Sequence, residues 1–504
     1  MKQALLQAVV LKRTLLHEAS FSGHHDVAVR LLDRGASVDA RDVKEQTPLH
    51  LASLSGHQNI ALTLLDRGAQ VDARDGEQHT PLHVASFSGH QNVALTLLDR
   101  GAQVDARDGN QITPLHVASF FGHQNVALTL LDRGAQVDAR DDEQNTPLHR
   151  ASKGGRQNVA LILLARGAQV DVRNGKQYTP LHVASFSGHQ NVALNLLDRG
   201  AEVDARDDKQ HTPLQFASYN GNQDVALTLL DRGAQVDARD DKQYTPLHFA
   251  SQEGRQNVAL TLLNRGAQVD VRNYEQYTPL HLASFSGHQN VALTLLDRGA
   301  QVDARDDKQY TPLHLASQDG HRNVALTLLD RGAQVDARDD KQYTPLHLAS
   351  QDGHRNVALT LLDRGALVDA RDDEKHTPLH FAARSGRKEV AFLLIDRGAS
   401  VEALDCQQKT PVQLASDKGH KNLALLMAER ASARDAKRSA STQRSLQTID
   451  KLDDGKGSAD AGEGTQPSAQ PSTSQQWNHD VVFVQVDHDA TVKYLLDYIK
   501  KRKH

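Results

Sequence analysis

The sequence predicts an all-α solenoid, and three observations carry that prediction. The tetrapeptide TPLH begins at Thr47 and returns every 33 residues, at Thr80, Thr113, Thr146 and Thr179 and again from Thr245 to Thr377. Each copy leads into a helical run and a Gly-Ala step, as in NVALTLLDRGAQVDARDDKQY from Asn323 to Tyr343. The units at the two ends depart from the pattern, with Leu15 in place of the proline and Ala431 in place of a glycine. A unit of this length cannot bury its own apolar face, so copies must stack, each touching only its neighbours. The register continues as TPLQ at Thr212 and TPVQ at Thr410 and starts as TLLH at Thr14, which makes thirteen units.

The chain opens with residues 1–13, MKQALLQAVVLKR, whose Lys2 and short apolar run superficially suggest a secretory signal. Gln3 and Gln7 interrupt that run and it leads straight into the first unit, so it is read as an N-terminal capping segment. The array itself is expected over 14–432. In the unit beginning at Thr311, the threonine hydroxyl can cap a helix and Pro312 takes the first helical position, where a missing N–H costs nothing. Gly320 ends that helix in the left-handed conformation. The second helix places Val324, Ala325, Leu328 and Leu329 at helical spacing with Leu326 on another side, as expected where both flanks meet neighbours. Gly332 stops it, and the polar segment VDARDDKQY follows as a turn.

On the TPLH tetrapeptide, the two-helix unit and the Gly-Ala step, residues 12 to 432 resemble the ankyrin repeat family. The resemblance implies a solenoid of helix-turn-helix units with projecting β-hairpin loops that stack into one continuous edge. It also implies that the TPLH histidine supports the hydrogen bonding between adjacent units. His314 and His321 recur in most units, whereas a metal site needs ligands converging on one point, so both are read as structural. No cofactor is expected.

Two departures from the family pattern stand out. Gln78, Gln111, Gln144 and their equivalents occupy the position two before the threonine where the family usually has glycine, with Glu45 and Lys375 as exceptions, which puts the tight hairpin in question. Asp72, Asp105, Asp138 and their equivalents through Asp336 replace the usual asparagine after the hairpin valine, losing an amide donor. Each has an arginine nearby, such as Arg338 beside Asp336, so a charge-compensated ladder is expected.

Because the helices are nearly identical, the informative residues are those that differ between copies. They stand directly before each threonine and at the end of each first helix. The resemblance implies that these positions lie on hairpin tips and on the concave surface the family uses to grip partners. The candidate partner-binding residues form two zones. One is apolar, with Phe87, Phe120, Phe121 and Phe186; the other is a stripe of Tyr244, Tyr277, Tyr310 and Tyr343 in consecutive units with an acidic flank of Glu253, Asp319 and Asp352, and Tyr178 is a further candidate. Tyrosine offers contact area at little conformational cost. Drift among duplicated copies is the alternative account of the same variation.

After the array, the Ser, Gln, Gly and Pro content of 433–479 predicts a disordered linker. GKGS there lacks the spacing of a phosphate loop, and DKLDDGKGSADA has Leu452 and Ala461 where an EF-hand needs ligands. Residues 480–504 read as a short strand, VVFVQV, and a helix capped by Asp489, too small to hold a core alone. Lys500, Lys501, Arg502 and Lys503 resemble a nuclear import signal, although cations at a helix C-terminus also complement its dipole.

The net charge of −5, from 58 basic and 63 acidic residues, offers no strong field for nucleic acid. No apolar stretch reaches the roughly 20 residues of a spanning helix. Cys406 is the single cysteine, which excludes a disulfide framework and fits a reducing compartment. Every candidate catalytic group is either repeated or isolated in the tail, so an enzyme is not expected. The reading is a monomeric, cytoplasmic and, on the import reading, also nuclear scaffold that binds protein partners. The alternatives are a signalling, ubiquitin-ligase or transcriptional adaptor whose C-terminal segment recruits a second component, and a mechanical spacer.

Overall fold

The computed structural model describes residues 12–452, with side chains through residue 437. The N-terminal segment 1–11, the linker from 453, the strand and helix expected in 480–504 and the basic run from Lys500 to Lys503 lie outside the described residues. Among the described residues there are 26 helices in thirteen pairs, from α1 (Leu15–Ser22) and α2 (His25–Asp33) to α25 (Pro411–Asp417) and α26 (Lys421–Leu452). First helices pack on first helices and second on second along the array. The array closes as one compact unit at Arg434, and the end of α26 belongs to a second.

Each unit follows from local physics. Thr278 accepts from the backbone N–H of His281, while the His281 ring accepts the N–H of Thr278, a capping box in which histidine does the work usually given to glutamate. Pro279 fills the first helical position. Gly287, at φ +78°, stops the helix turn, and a Cβ there would stand 2.5 Å from Nδ1 of His321 in the next unit. The glycine is thus required twice, by its own backbone and by its neighbour's ring. Val291, Ala292 and Leu295 of the second helix and Leu280 and Ala283 of the first join a single apolar cluster running from Leu16 to Ala431. In the unit at Thr311, Val324, Ala325 and Leu328 are fully buried and Leu329 packs at their edge, as their spacing predicts.

The loops between units are hairpins built from turns, with no strand among the described residues. Replacing the family's glycine does not undo the turn. Gln78, Gln243 and the rest, with Glu45 and Lys375, all sit at φ between 58° and 67°. At Gln78 the left-handed backbone is held by two bonds: its N–H donates to the Asp75 carbonyl at 2.9 Å, and the Arg74 guanidinium donates to its carbonyl at 3.1 Å. The first bond recurs at each of these residues, whereas at Gln243 the arginine reaches the side-chain oxygen instead. Most successive hairpins connect by a single backbone bond, such as Gly76 N–H to the Lys44 carbonyl at 3.0 Å and Asp340 N–H to the Lys308 carbonyl at 3.1 Å. This makes the continuous edge that the resemblance implied.

The last unit ends differently. With Ala431 where the glycine should stand, nothing favours a left-handed stop, and α26 runs on to Leu452, past residue 433 where the linker was expected to begin. No helix among the described residues is long and apolar enough to cross a membrane.

Candidate functional site

Both recurring histidines act between units. In the TPLH position, His281 Nδ1 takes the Thr278 N–H at 3.1 Å, so the ring proton must reside on Nε2, which donates to the Tyr310 carbonyl of the next unit at 3.0 Å. A protonated ring would turn Nδ1 into a donor facing another donor. Burial lowers the pKa of His281 to about 4, only partly offset by the Tyr310 carbonyl. Gln215 reproduces both bonds with an amide, at 2.7 Å to Thr212 N–H and 2.8 Å to the Tyr244 carbonyl. The second histidine reaches backwards: His321 Nε2 bonds the Phe285 carbonyl at 2.8 Å. Arg156, Asn222 and Arg387 do the same service in their units, at 2.9, 2.9 and 3.0 Å. Among the described residues no group of three or more His, Cys, Asp or Glu side chains could hold a metal ion.

The expected ladder between the hairpin aspartates and their neighbouring arginines is not what forms. Both oxygens of Asp72 accept the backbone N–H of Gln103 in the next unit, at 3.2 Å each, and Asp336 takes Leu367 N–H in the same way. Arg338 lies close enough to lower the Asp336 pKa, which burial raises, but its Nη1 donates to the carbonyls of Gln342 and Arg371. Sequence proximity misleads here, because stacking offers the guanidinium two carbonyls whose desolvated lone pairs need a donor. A charge ladder does exist one step away. Asp33 pairs with Arg67, Asp66 with Arg100 and Asp330 with Arg364 at 2.6 Å, always from one second helix to the next. These pairs are half-exposed, so each contributes at most about 1 kcal/mol.

A second row of carboxylates lies beneath the hairpins, and it organises the residues that vary before each threonine. Asp75 Oδ1 accepts the N–H groups of Glu77 and His79; most of its equivalents do likewise, while Asp141 and Asp372 take the second of the two, from Asn145 and His376. His79 lies between two of them, with Nδ1 3.4 Å from Asp75 and Nε2 3.4 Å from Asp108 of the next unit. His211 joins Asp207 and Asp240, and His376 joins Asp372 and Asp405. Burial alone would lower the His79 pKa, but the two flanking carboxylates, Asp108 and Asp75, outweigh it and carry it to about 9. Asp42 receives Arg13 at 3.3 Å, and Asp141 receives Arg150 at 2.5 Å. In two units asparagine, Asn174 and Asn273, replaces the acid.

The candidate partner-binding residues are therefore deeper than hairpin tips. Tyr178, Tyr244, Tyr277, Tyr310 and Tyr343 are half-buried at the foot of the hairpin, each against the TPLH histidine of its own unit, as where Tyr310 stacks on His314 with centroids 5.5 Å apart. The phenylalanines divide. Phe121 meets Phe87 edge-on at 4.6 Å and Phe120 at 5.1 Å, joining two units in one cluster, although Phe87 itself is only 5% exposed. A cleft of about 280 Å³ opens beside Phe121, with Arg156 and Gln157 on its wall. Phe186 packs instead against Phe216, at 6.0 Å. Of the acidic flank, Asp319 is exposed and Glu253 and Asp352 are half-buried, their pKa values raised by burial.

Sequence reasoning missed Tyr274, which is 65% exposed on a hairpin tip where Asp307 and Asp340 stand in later units. The break in the DDKQ pattern was the available signal. It also missed the buried aspartates, which look like solvent-facing turn residues in a single unit.

A family model for ankyrin repeats (3 copies) matches nine overlapping segments from 2–75 to 366–437. Among solved structures, the crystal structure of the human ASB11 ankyrin repeat domain aligns at 30% identity with a TM-score of 0.41, covering 44% of this chain and 99% of that one. A comparison with curated proteins finds no match. With the capped helix pair, the inter-unit histidines and a family model that spans the whole array, the chain belongs to the ankyrin repeat family.

Proposed function

We propose that the chain is a non-catalytic scaffold that binds protein partners along the first-helix ends and hairpins of its array. Ankyrin repeats are in general protein–protein interaction modules, and the division of labour between positions carries the reading here. The groups that recur are engaged in holding units together, whereas the exposed and half-exposed residues that differ, among them Phe121, Tyr274, Glu253 and Asp319, lie along the array's hairpins and first-helix ends. Solenoids present such surfaces across several units, and a few aromatic anchors set their affinity. Cytoplasmic residence and a monomeric array belong to the same proposal. Affinity purification with mass spectrometry tests it, using the full chain and a chain lacking 480–504. A scaffold retains its partners in both. Selective loss of one set with the tail deletion turns the reading to an adaptor, and no reproducible partner in either turns it to a spacer.

A further inference from the structure

The row of buried carboxylates has a local gap in its charge compensation. Most of the row's acids have a cation or are replaced by asparagine, but Asp306 and Asp339, in consecutive units and each only 2% exposed, stand between tyrosines instead. Asp306 Oδ1 accepts the N–H groups of Lys308 and Tyr310, at 2.9 and 2.7 Å, and Asp339 Oδ1 those of Lys341 and Tyr343, at 2.9 and 2.6 Å. The Oδ2 atom of each is buried and has no hydrogen-bond partner. The equivalent atom of Asp108 also lacks a hydrogen bond, but it has the His79 ring as an ion-pair partner, with Nε2 3.4 Å away; at the place of His79 the units before Asp306 and Asp339 carry Tyr277 and Tyr310. Burial raises the pKa of Asp339 to about 6, offset in part by the N–H groups of Tyr343 and Lys341. An unpaired buried carboxylate is costly, and at Asn174 and Asn273 the same chain avoids it.

We propose that Tyr277, Tyr310 and Tyr343, over Asp306 and Asp339, form a docking surface for a lysine- or arginine-bearing segment of a protein partner. This rests on the scaffold reading and names the chemistry of its partner. A cation above a tyrosine face gains from the ring quadrupole, and two low-dielectric carboxylates beneath the stripe strengthen the attraction. Asp307 and Asp340 on the exposed hairpins add to the negative field, against Lys308 and Lys341 beside them. Asp319, whose charge reaches Tyr277, extends it along the first helices. In the units of His79 and His211 the chain supplies the cation internally, and the corresponding surface has no such vacancy of charge.

Fluorescence anisotropy with the full chain and a labelled peptide of alternating lysine and glycine tests the proposal at low salt. The wild-type chain is expected to bind it at least tenfold more tightly than the matching glutamate–glycine peptide. Asp306→Asn with Asp339→Asn, which follows Asn174 and Asn273, should weaken lysine-peptide binding about tenfold. Tyr310→His, which sets an imidazolium between the two acids as at His79, should weaken it as much while raising the melting temperature, so lost binding cannot be lost folding. Asp208→Asn with Asp241→Asn, removing two exposed charges elsewhere, should change it less than twofold. Absence of wild-type binding, unaltered binding in either site variant, or an equal loss in the control overturns the proposal. If partners captured by the wild-type chain persist undiminished on Tyr310→His, the cationic partner fails and the scaffold stands. If the wild-type chain captures no partner but the peptide results hold, the scaffold fails and the site stands.

Discussion

Replacing His281 with alanine is expected to cost the array about 4 kcal/mol. The substitution leaves the Thr278 N–H and the Tyr310 carbonyl without partners at a buried joint and opens a cavity where the ring lay. Each unsatisfied group costs roughly 1–3 kcal/mol and the lost packing adds to that. His281→Gln should cost less than about 1.5 kcal/mol, because Gln215 already serves both bonds in its own unit. Urea unfolding followed by circular dichroism measures the loss, and hydrogen exchange places it. In a linear array the damage should centre on the joint between the units of Thr278 and Thr311, splitting one transition into two. An alanine variant that unfolds within about 1 kcal/mol of wild type would refute the account of the joint.

Acidification strikes the same joints together. Eight TPLH histidines, from His83 to His347, have folded-state pKa values near 4, lowered chiefly by burial. Because the folded value lies below the unfolded value near 6.5, the fold selects neutral imidazole. That stability is complete above pH 6.5 and drains away as pH falls towards 4. Even at about 1 kcal/mol per histidine, well under the ~3 kcal/mol such a shift carries in full, the combined loss rivals the stability of a whole domain. His79 and His211 work in the opposite direction. Raised to about 9, they stabilise fully below 6.5 and lose that contribution as pH climbs through 9. Asp339, raised to about 6, favours the fold as it gains its proton and softens the acid loss in its unit. The thermal midpoint should therefore peak near pH 7, drop steeply between 6 and 4, and decline gently above 8. Calorimetry across that range checks it, and a midpoint unchanged from pH 7 to 4.5 would be inconsistent with it.

What the sequence made legible is what local physics decides. Thr278, Pro279 and Gly287 specify a start, a first turn and a stop within one unit, so helices and their register could be read without knowing any neighbour. The site was legible only as a set of positions. Whether Tyr310 is a tip residue or the lid of a buried carboxylate depends on Asp339, 29 residues away, and on the absence of the histidine that fills this place at His79. Likewise Arg338 stands next to Asp336 in sequence but spends its donor on the carbonyl of Arg371. A solenoid turns separations of about one repeat into contacts, so partners chosen by nearness in the chain are systematically wrong for the long polar side chains. The apolar positions escape this error because each neighbour offers them the same surface.

The account divides the array into positions that hold it together, the repeating ones and the buried histidines among the varying ones, and exposed or half-exposed positions that differ and bind. One chain tests that division directly, with each differing residue set to what another unit carries: Phe121→Ser after Ser88, Tyr274→Asp after Asp307, and Glu253→Ser with Asp319→Ser after Ser286. Its partner capture is measured beside its melting curve. The account predicts captured partners lost while the chain stays folded, with a melting temperature lowered only by the lost Phe121–Phe87 contact; partners retained at wild-type level by the folded variant would contradict it.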